Sequence, residues 1–420
     1  MFKKPKLCIV SPYCYPLFNP KNQSPFGGSE VRVALIAKEL AKRGNINVFL
    51  VVGDHEQPHL ESLHGVTLVS WLGREMWGIS PQERPRNEKN PMLEPSGLLA
   101  KLRRTLFSRK NGSLHEPFVP TDIGCYTVTK EMVSIYDEIG ADIYTAPGNS
   151  YYSAELICYC LQRRRRFVVL SGSDYDYSQE YIIDPDGMDM YGMPHKLKTY
   201  VIEYADGHVV QNERQARMLH DNYSRSSYVI RNPIDLDRFF RREPNAATIL
   251  WVGKSEERTK RPSVCIELAR QLPQFKFVMI MTLAMQDVHK RCEAEARELS
   301  NLTLISRVPF DEVEQYFASA KLHLNTSVFE GFPNTFLQAA KYGVPTVSLS
   351  VDPCEMLSGC GAGAVCGGEF EMLKTEICEL MGNYSLYENK SKRALEYVRN
   401  YHDKDKIIPQ YESAFARILG

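Results

Sequence analysis

Residues 6–13 read KLCIVSPY, residues 30–44 EVRVALIAKELAKRG and residues 46–53 INVFLVVG, and together they decide the fold. A short β-branched run, a segment with apolar residues at helical spacing and a second β-branched run make a βαβ unit, which requires parallel pairing and a right-handed crossover. The rhythm resumes in the second half. TILWVGK (248–254), FKFVMIM (275–281), LTLISRV (302–308), KLHLNTS (321–327) and TVSLSVD (346–352) read as strands, separated by helices such as PSVCIELARQLP (262–273). A chain of 420 residues exceeds what one core usually organises. The fold class is therefore α/β, with two doubly wound Rossmann-like domains facing across a cleft. The boundary falls in SSYVIRNPIDLDRFF (226–240), giving a first domain over 1–234 and a second over 235–407. The tail after 388 reads as two helices broken near Pro409, the last, about 408–420, returning to the first domain.

Composition narrows the function. Lys plus Arg and Asp plus Glu each number 51, so the formal net charge is zero and nucleic-acid binding driven by bulk charge is not expected. Eleven cysteines without a C-x-x-C pair suit reduced thiols in a cytoplasm, and the even spacing of Cys354, Cys360 and Cys366 is read as turn and strand rather than metal site. The start, MFKKPKLCIVSPY, and the apolar stretch FVMIMTLAM (277–285) are too short in apolar residues for a signal peptide or a span. Any membrane contact is then peripheral. LLAKLRRTLFSRK (98–110) offers one candidate: Leu98, Leu99, Leu102 and Leu106 share a helical face beside five basic residues, which suits either an anionic lipid surface or packing on the first domain.

Chemistry concentrates at FEGFPNTFLQAAKYGVP (329–345). KLHLNTS is a strand, VFEGFP a loop and NTFLQAAKYG a helix, with Asn334 or Thr335 near its cap and Gly343 closing it. In doubly wound sheets ligands bind beyond the carboxyl ends of the strands, where helix N-termini attract anions. Glu330 at that mouth can accept hydrogen bonds from hydroxyls such as a sugar supplies. Gly27 and Gly28, between the first strand and its helix, let backbone N–H groups approach a phosphate. Lys254 and Lys260 follow the first strand of the second domain, with Arg258 and Arg261 as competing cations.

The 329–345 segment resembles the signature of the family-four retaining glycosyltransferases of the GT-B fold (glycosyl transferases group 1), whose second domain carries E-x7-E, a small-residue helix and G-x-P. ILWVGKSEERTKRP (249–262) resembles that family's strand, glycine and paired diphosphate-clamping cations, VIRNPIDLDRF (229–239) its interdomain segment, and FGGSE (26–30) its glycine loop. The resemblance implies a nucleoside-diphosphate sugar, expected to be a UDP-sugar, as substrate, and neither metal nor cofactor. The hexose-like sugar would pass to a hydroxyl of a glycan or lipid-linked acceptor with retained configuration. It implies catalytic roles for Glu330, Lys254, Lys260 and Asp174, and donor contacts from Gly27, Gly28, Val308, Gly331, Phe332, Pro333, Asn334, Thr335 and Gln338.

Two departures stand out. The second acid of E-x7-E is Gln338, whose amide oxygen still accepts from a hydroxyl but without charge assistance, a loss of about 1 kcal/mol. The family's sugar-facing histidine is absent from DIYTAPGNS (142–150), where Pro147 stands with Asn149 and Tyr151 as polar substitutes. These departures keep open a second reading, a catalytically inactive nucleotide-sugar or glycan binder. Asp174, after the strand FVVLS, is a candidate to orient the acceptor; with Asp176 it spells D-x-D, a pattern that recurs as D-L-D at 235–237.

Overall fold

The computed structural model describes residues 4–22, 24–71, 130–189, 191–240 and 248–420. The basic 98–110 segment lies outside the described residues.

The first domain is built on eight strands: β1 (Lys6–Val10), β2 (Asn47–Val52), β3 (Leu60–Leu63), β4 (Val66–Ser70), β5 (Ile143–Pro147), β6 (Arg166–Leu170), β7 (Gly207–Val210) and β8 (Tyr228–Val229). Their order is β3-β4-β2-β1-β5-β6-β7-β8, parallel except for the β3–β4 pair. The sheet is buried on both faces, as a parallel sheet must be. Alternation along β1 shows how: Leu7 and Ile9 enter one core, Cys8 and Val10 the other.

Six strands form the second sheet: β9 (Thr248–Lys254), β10 (Lys276–Thr282), β11 (Leu302–Ile305), β12 (Leu322–Asn325), β13 (Thr346–Ser348) and β14 (Gly363–Val365). They run parallel in the order β11-β10-β9-β12-β13-β14. Ile249 and Trp251 of β9 face one core, Leu250 the other. Both sheets reverse strand order at their first strand, so both present a crevice at the carboxyl ends of β1 and β9.

The last helix spans Lys404–Leu419 and buries Ile407, Ile408, Tyr411, Ala414 and Phe415 in the first domain's core, beside Leu7 and Ile36. The expected break at Pro409 is wrong. The preceding helix ends at Tyr401, Asp403 caps the new one through the Asp405 N–H, and Pro409 lies inside it. Proline removes the bond to the carbonyl of Asp405, but Asp405 is exposed and water can serve that carbonyl, while apolar packing holds the helix on either side. Among the described residues no helix is long and apolar enough to cross a membrane. The ten described cysteines are free; Cys366 is buried in the second domain, and Cys354 and Cys360 pack near Phe332 and Phe336.

Candidate active site

Two loops of the second domain are stitched together at the carboxyl end of its sheet. The indole N–H of Trp251 donates to the Thr326 hydroxyl (2.8 Å), which donates to the Lys260 carbonyl (2.6 Å), and the Val328 N–H bonds the Thr259 carbonyl (2.9 Å). That stitching delivers the Lys260 ammonium to the Glu330 carboxylate at 2.7 Å. Glu330 also accepts from the Ser327 hydroxyl (2.6 Å) and the Asn325 amide (3.4 Å), so the carboxylate is oriented from three sides. An anion arriving beside Lys260 would share an ammonium that still has protons to donate.

The helix after this loop spans Asn334–Lys341, with buried Pro333 at its N-cap position and no side-chain cap. Asn334 and Thr335 thus stand next to the cap, as expected, but neither side chain caps the helix. Asn334 instead donates across the cleft to the Gly28 carbonyl (2.7 Å) and accepts from the Asn232 amide (3.4 Å). Leaving the terminus uncapped keeps its free N–H groups and positive dipole end available to an anion. Thr335 and Gln338 are half-buried on this helix, Gln338 one turn beyond Asn334. Gly343 follows at φ 62°, where an added Cβ would strike the Ser391 hydroxyl at 2.9 Å.

On the first-domain side, Gly27 and Gly28 open the Gly28–Arg43 helix. A Cβ at Gly27 would lie 3.3 Å from Lys254 Nζ, so this exposed lysine, at the end of β9, faces the glycine loop. The Gly27 N–H is already taken by Glu30 Oε2 (2.7 Å), which leaves the room made by the missing side chain, rather than that donor, as the glycine's contribution. Phe26 meets Phe310 edge-on at 5.7 Å, closing one side of the cleft.

The Glu330–Gly331 turn touches the first domain directly. A Cβ on Gly331 would stand 3.0 Å from Ser173 Cα, 3.1 Å from Gln211 Oε1 and 3.1 Å from the Gly172 carbonyl, tight contacts that the absence of a side chain relieves. Asp174 sits beside it, buried, bonded by the Gln215 amide (3.1 Å) and 3.4 Å from Arg214 Nε. Burial raises its carboxyl above the ordinary range, against the lowering effect of Gln215 and Arg214.

The structure also places the remaining candidates. The Phe332 side chain turns into the second domain's core and packs 4.7 Å from His402, anchoring the loop and leaving the backbone as the part of this residue that could contact a donor. Val308 is half-buried among Val278, Ile305 and Val313 of a core cluster. Asn149 is 3% exposed and its amide donates to the carbonyls of Asp176 and Lys198, while the Tyr151 hydroxyl donates to the Gly192 carbonyl. The Asn149 amide N–H groups and the Tyr151 hydroxyl are thus engaged by the framework, while the buried Asn149 Oδ1 has no hydrogen-bond partner among the described residues. The D-x-D pattern does not present two open carboxylates. Asp176 accepts from the N–H groups of Gly172, Ser173 and Asn149 and from the Ser171 hydroxyl, which uses its lone pairs to close the loop.

Three residues that bear on the site were not singled out in the sequence. Arg32 is buried and bonds the Ser171 carbonyl and the Tyr411 hydroxyl, tying the glycine-loop helix to the 171–174 loop and the last helix. Gln215 holds Asp174, Ser171 and the Gln211 N–H at once. Asn232 links the interdomain segment to Phe332 and Asn334, and its place in Asn-Pro was the one available signal.

Residues 246–383 match the protein-family model described as glycosyl transferases group 1. A lipopolysaccharide 1,6-galactosyltransferase of Salmonella typhimurium is 27% identical over 170 residues, 38% of this chain and 46% of that protein; the match thus spans less than half the relative's length. Among solved structures, sucrose-phosphate synthase from Thermosynechococcus elongatus gives a TM-score of 0.69 at 13% identity, covering 99% of both chains. Anabaena HepE, solved with UDP and glucose, gives 0.65 at 15% identity over 98% of this chain and 99% of its own. Likeness at that identity speaks for the fold, which is GT-B.

Proposed function

We propose that the chain, whose residues 246–383 match the family model of glycosyl transferases group 1, is a retaining, metal-independent glycosyltransferase. It moves a hexose-like sugar from a nucleoside diphosphate, UDP in our reading, to a hydroxyl of a glycan or lipid-linked acceptor. A cytoplasmic setting and a place in surface polysaccharide or glycolipid assembly belong to the same reading. The observation that carries it is that Lys254 and the uncapped Asn334 helix terminus face the glycine loop, while Lys260 is held against Glu330 on the loop that leads into that helix.

The arrangement suits same-face displacement. The bond from the anomeric carbon to the diphosphate oxygen breaks as the acceptor oxygen forms its bond on the same face, and the acceptor's proton passes to the departing phosphate oxygen. Lys254, Lys260 and the helix terminus then stabilise the charge that develops on the diphosphate, and Glu330 accepts from the sugar's hydroxyls. Asp174, raised by burial, orients the acceptor hydroxyl. Support from relatives is of two kinds: HepE is seen with UDP and glucose, and the Salmonella relative is a galactosyltransferase.

The test is a panel of radiolabelled nucleotide sugars, followed for transfer and for slow hydrolysis to water. Release of labelled sugar from one UDP-sugar supports the reading. Tight binding with no release from any donor would instead make the chain a nucleotide-sugar binder.

A further inference from the structure

Five of the large apolar side chains that stand open to solvent lie within seventeen residues of one another: Tyr175 (44% exposed), Ile182, Ile183, Met188 and Tyr191 (75%). Exposure on a slack loop would be unremarkable, but this segment is held firmly. Asp189 pairs with the buried Lys198 at 2.7 Å and accepts the N–H groups of Tyr191 and Met193 at 2.8 Å each. His195 Nδ1 meets the Asp184 carbonyl at 2.6 Å, and the Tyr151 hydroxyl the Gly192 carbonyl at 2.6 Å. Met193 and Tyr181 point inward and are almost fully buried. A segment pinned from beneath that displays its remaining apolar groups outward is a preorganised contact surface.

Its place is the rim of the cleft. Tyr175 packs edge-on against Phe329 of the second domain at 4.5 Å, one residue from Glu330. Beyond Phe329 the apolar surface continues on the second domain through Val328, 46% exposed. The hydroxyl end of Tyr191 is raised above the ordinary phenol range by partial desolvation and then by the carboxylates of Asp189, Asp176 and Glu256, the last belonging to the second domain. Charge decides among occupants. The 180–189 stretch carries Glu180, Asp184, Asp186 and Asp189, while Lys196 and Lys198 are engaged by Asp186 and Asp189. A weakly acidic surface repels an anionic membrane, whereas open aromatic faces beside carboxylates match the C–H faces and hydroxyls of pyranose rings.

We infer that the lip formed by Tyr175, Met188 and Tyr191 is an outer subsite for an oligosaccharide acceptor, binding sugar units distal to the one that receives the transfer. This rests on the glycosyl-transfer reading and adds that the acceptor is an extended glycan rather than a single sugar or a bare lipid.

The test uses the full chain and, as probes, α- and β-linked gluco- and galacto-oligosaccharides of one to six units, titrated by NMR, with UDP binding measured in parallel. Affinity should rise with length for at least one series, and Tyr191→Ala and Met188→Ser should each remove about tenfold of that gain while binding of UDP and of the single sugar is unchanged. Both side chains are largely exposed, so folding is preserved. Length-independent binding, or a gain untouched by both substitutions, overturns the inference. So does loss, in these variants, of co-sedimentation with phosphatidylethanolamine–phosphatidylglycerol vesicles without loss of oligosaccharide binding, which would assign the lip to a membrane. Failure of UDP to bind with the length effect intact would strike the proposed transfer, not the subsite.

Discussion

Lys260 and Glu330 lie 2.7 Å apart and both are only partly buried, so the pair itself adds little stability; its value is orientation. Replacing Lys260 with alanine should cost on the order of a hundredfold in turnover, the usual price of one electrostatic contact to a developing charge. Steady-state kinetics on the preferred donor check this, and near-native turnover would remove Lys260 from the clamp. Gly331 makes a different prediction. A methyl group there meets Ser173 Cα and the Gly172 carbonyl at 3.0–3.1 Å, both on the opposite domain, so Gly331→Ala should push the two backbones apart by a few tenths of an ångström at this contact. Turnover should fall at least tenfold with thermal stability nearly unchanged, a split visible by pairing kinetics with a melt. A third residue concerns pH. Burial pushes the Glu155 carboxyl up to about 7, against the lowering hydrogen bond from the Tyr136 hydroxyl at 2.8 Å. The folded state therefore binds this proton more tightly than the unfolded chain, and stability is full below the ordinary value of 4.5 and lost as pH rises through about 7. Glu155→Gln keeps the acceptor oxygen but cannot ionise. Its melting temperature should match the native protein below pH 4.5 and exceed it increasingly up to pH 7; parallel curves would contradict the assignment.

At the scale of elements, the strands and helices were legible because their signals are local: short β-branched apolar runs at β1 and β9, helical spacing in 30–44, and glycine at the ends of helices. Pro409 misled because its cost is also local, whereas the packing that offsets it comes from Leu7 and Ile36, hundreds of residues away. The same distance hid the join where the last helix begins. Lys404, 4% exposed, reaches Asp235 and Asp237 at 2.8 Å and Glu39 at 3.5 Å, linking the interdomain segment, the glycine-loop helix and its own helix. Burial alone would lower the Lys404 ammonium; its hydrogen bonds to Asp235 and Asp237 and the charge of Glu39 outweigh that and raise it. Lys404→Met leaves three carboxylates together and should destabilise the fold by about 3 kcal/mol in chemical denaturation. A loss under 0.5 kcal/mol would show the join to be dispensable.

For the molecule as a whole, the sequence pointed to Lys254, Lys260, Glu330 and the glycine loop separately, and the fold brings them to facing edges of two sheets. What no pattern in one chain could reveal is how the edges meet, because those contacts are single hydrogen bonds between distant segments: Asn334 to Gly28 and Asn232 to Phe332. The engagement of Asn149 and Tyr151, the polar groups near the place of the missing histidine, is likewise a matter of assembly, since the carbonyls they bond, of Asp176, Lys198 and Gly192, lie 27 to 49 residues away. The apolar lip followed the same logic, because residues scattered through 175–191 share a surface only once Asp189 and Lys198 have folded the segment. The central claim is that a diphosphate lodges between Lys254, Lys260 and the Asn334 helix terminus, and a crystal structure with UDP tests it most directly. The account predicts phosphate oxygens within hydrogen-bond reach of both ammonium groups and of the helix's first N–H groups; a diphosphate bound elsewhere, or none at saturating UDP, would contradict it.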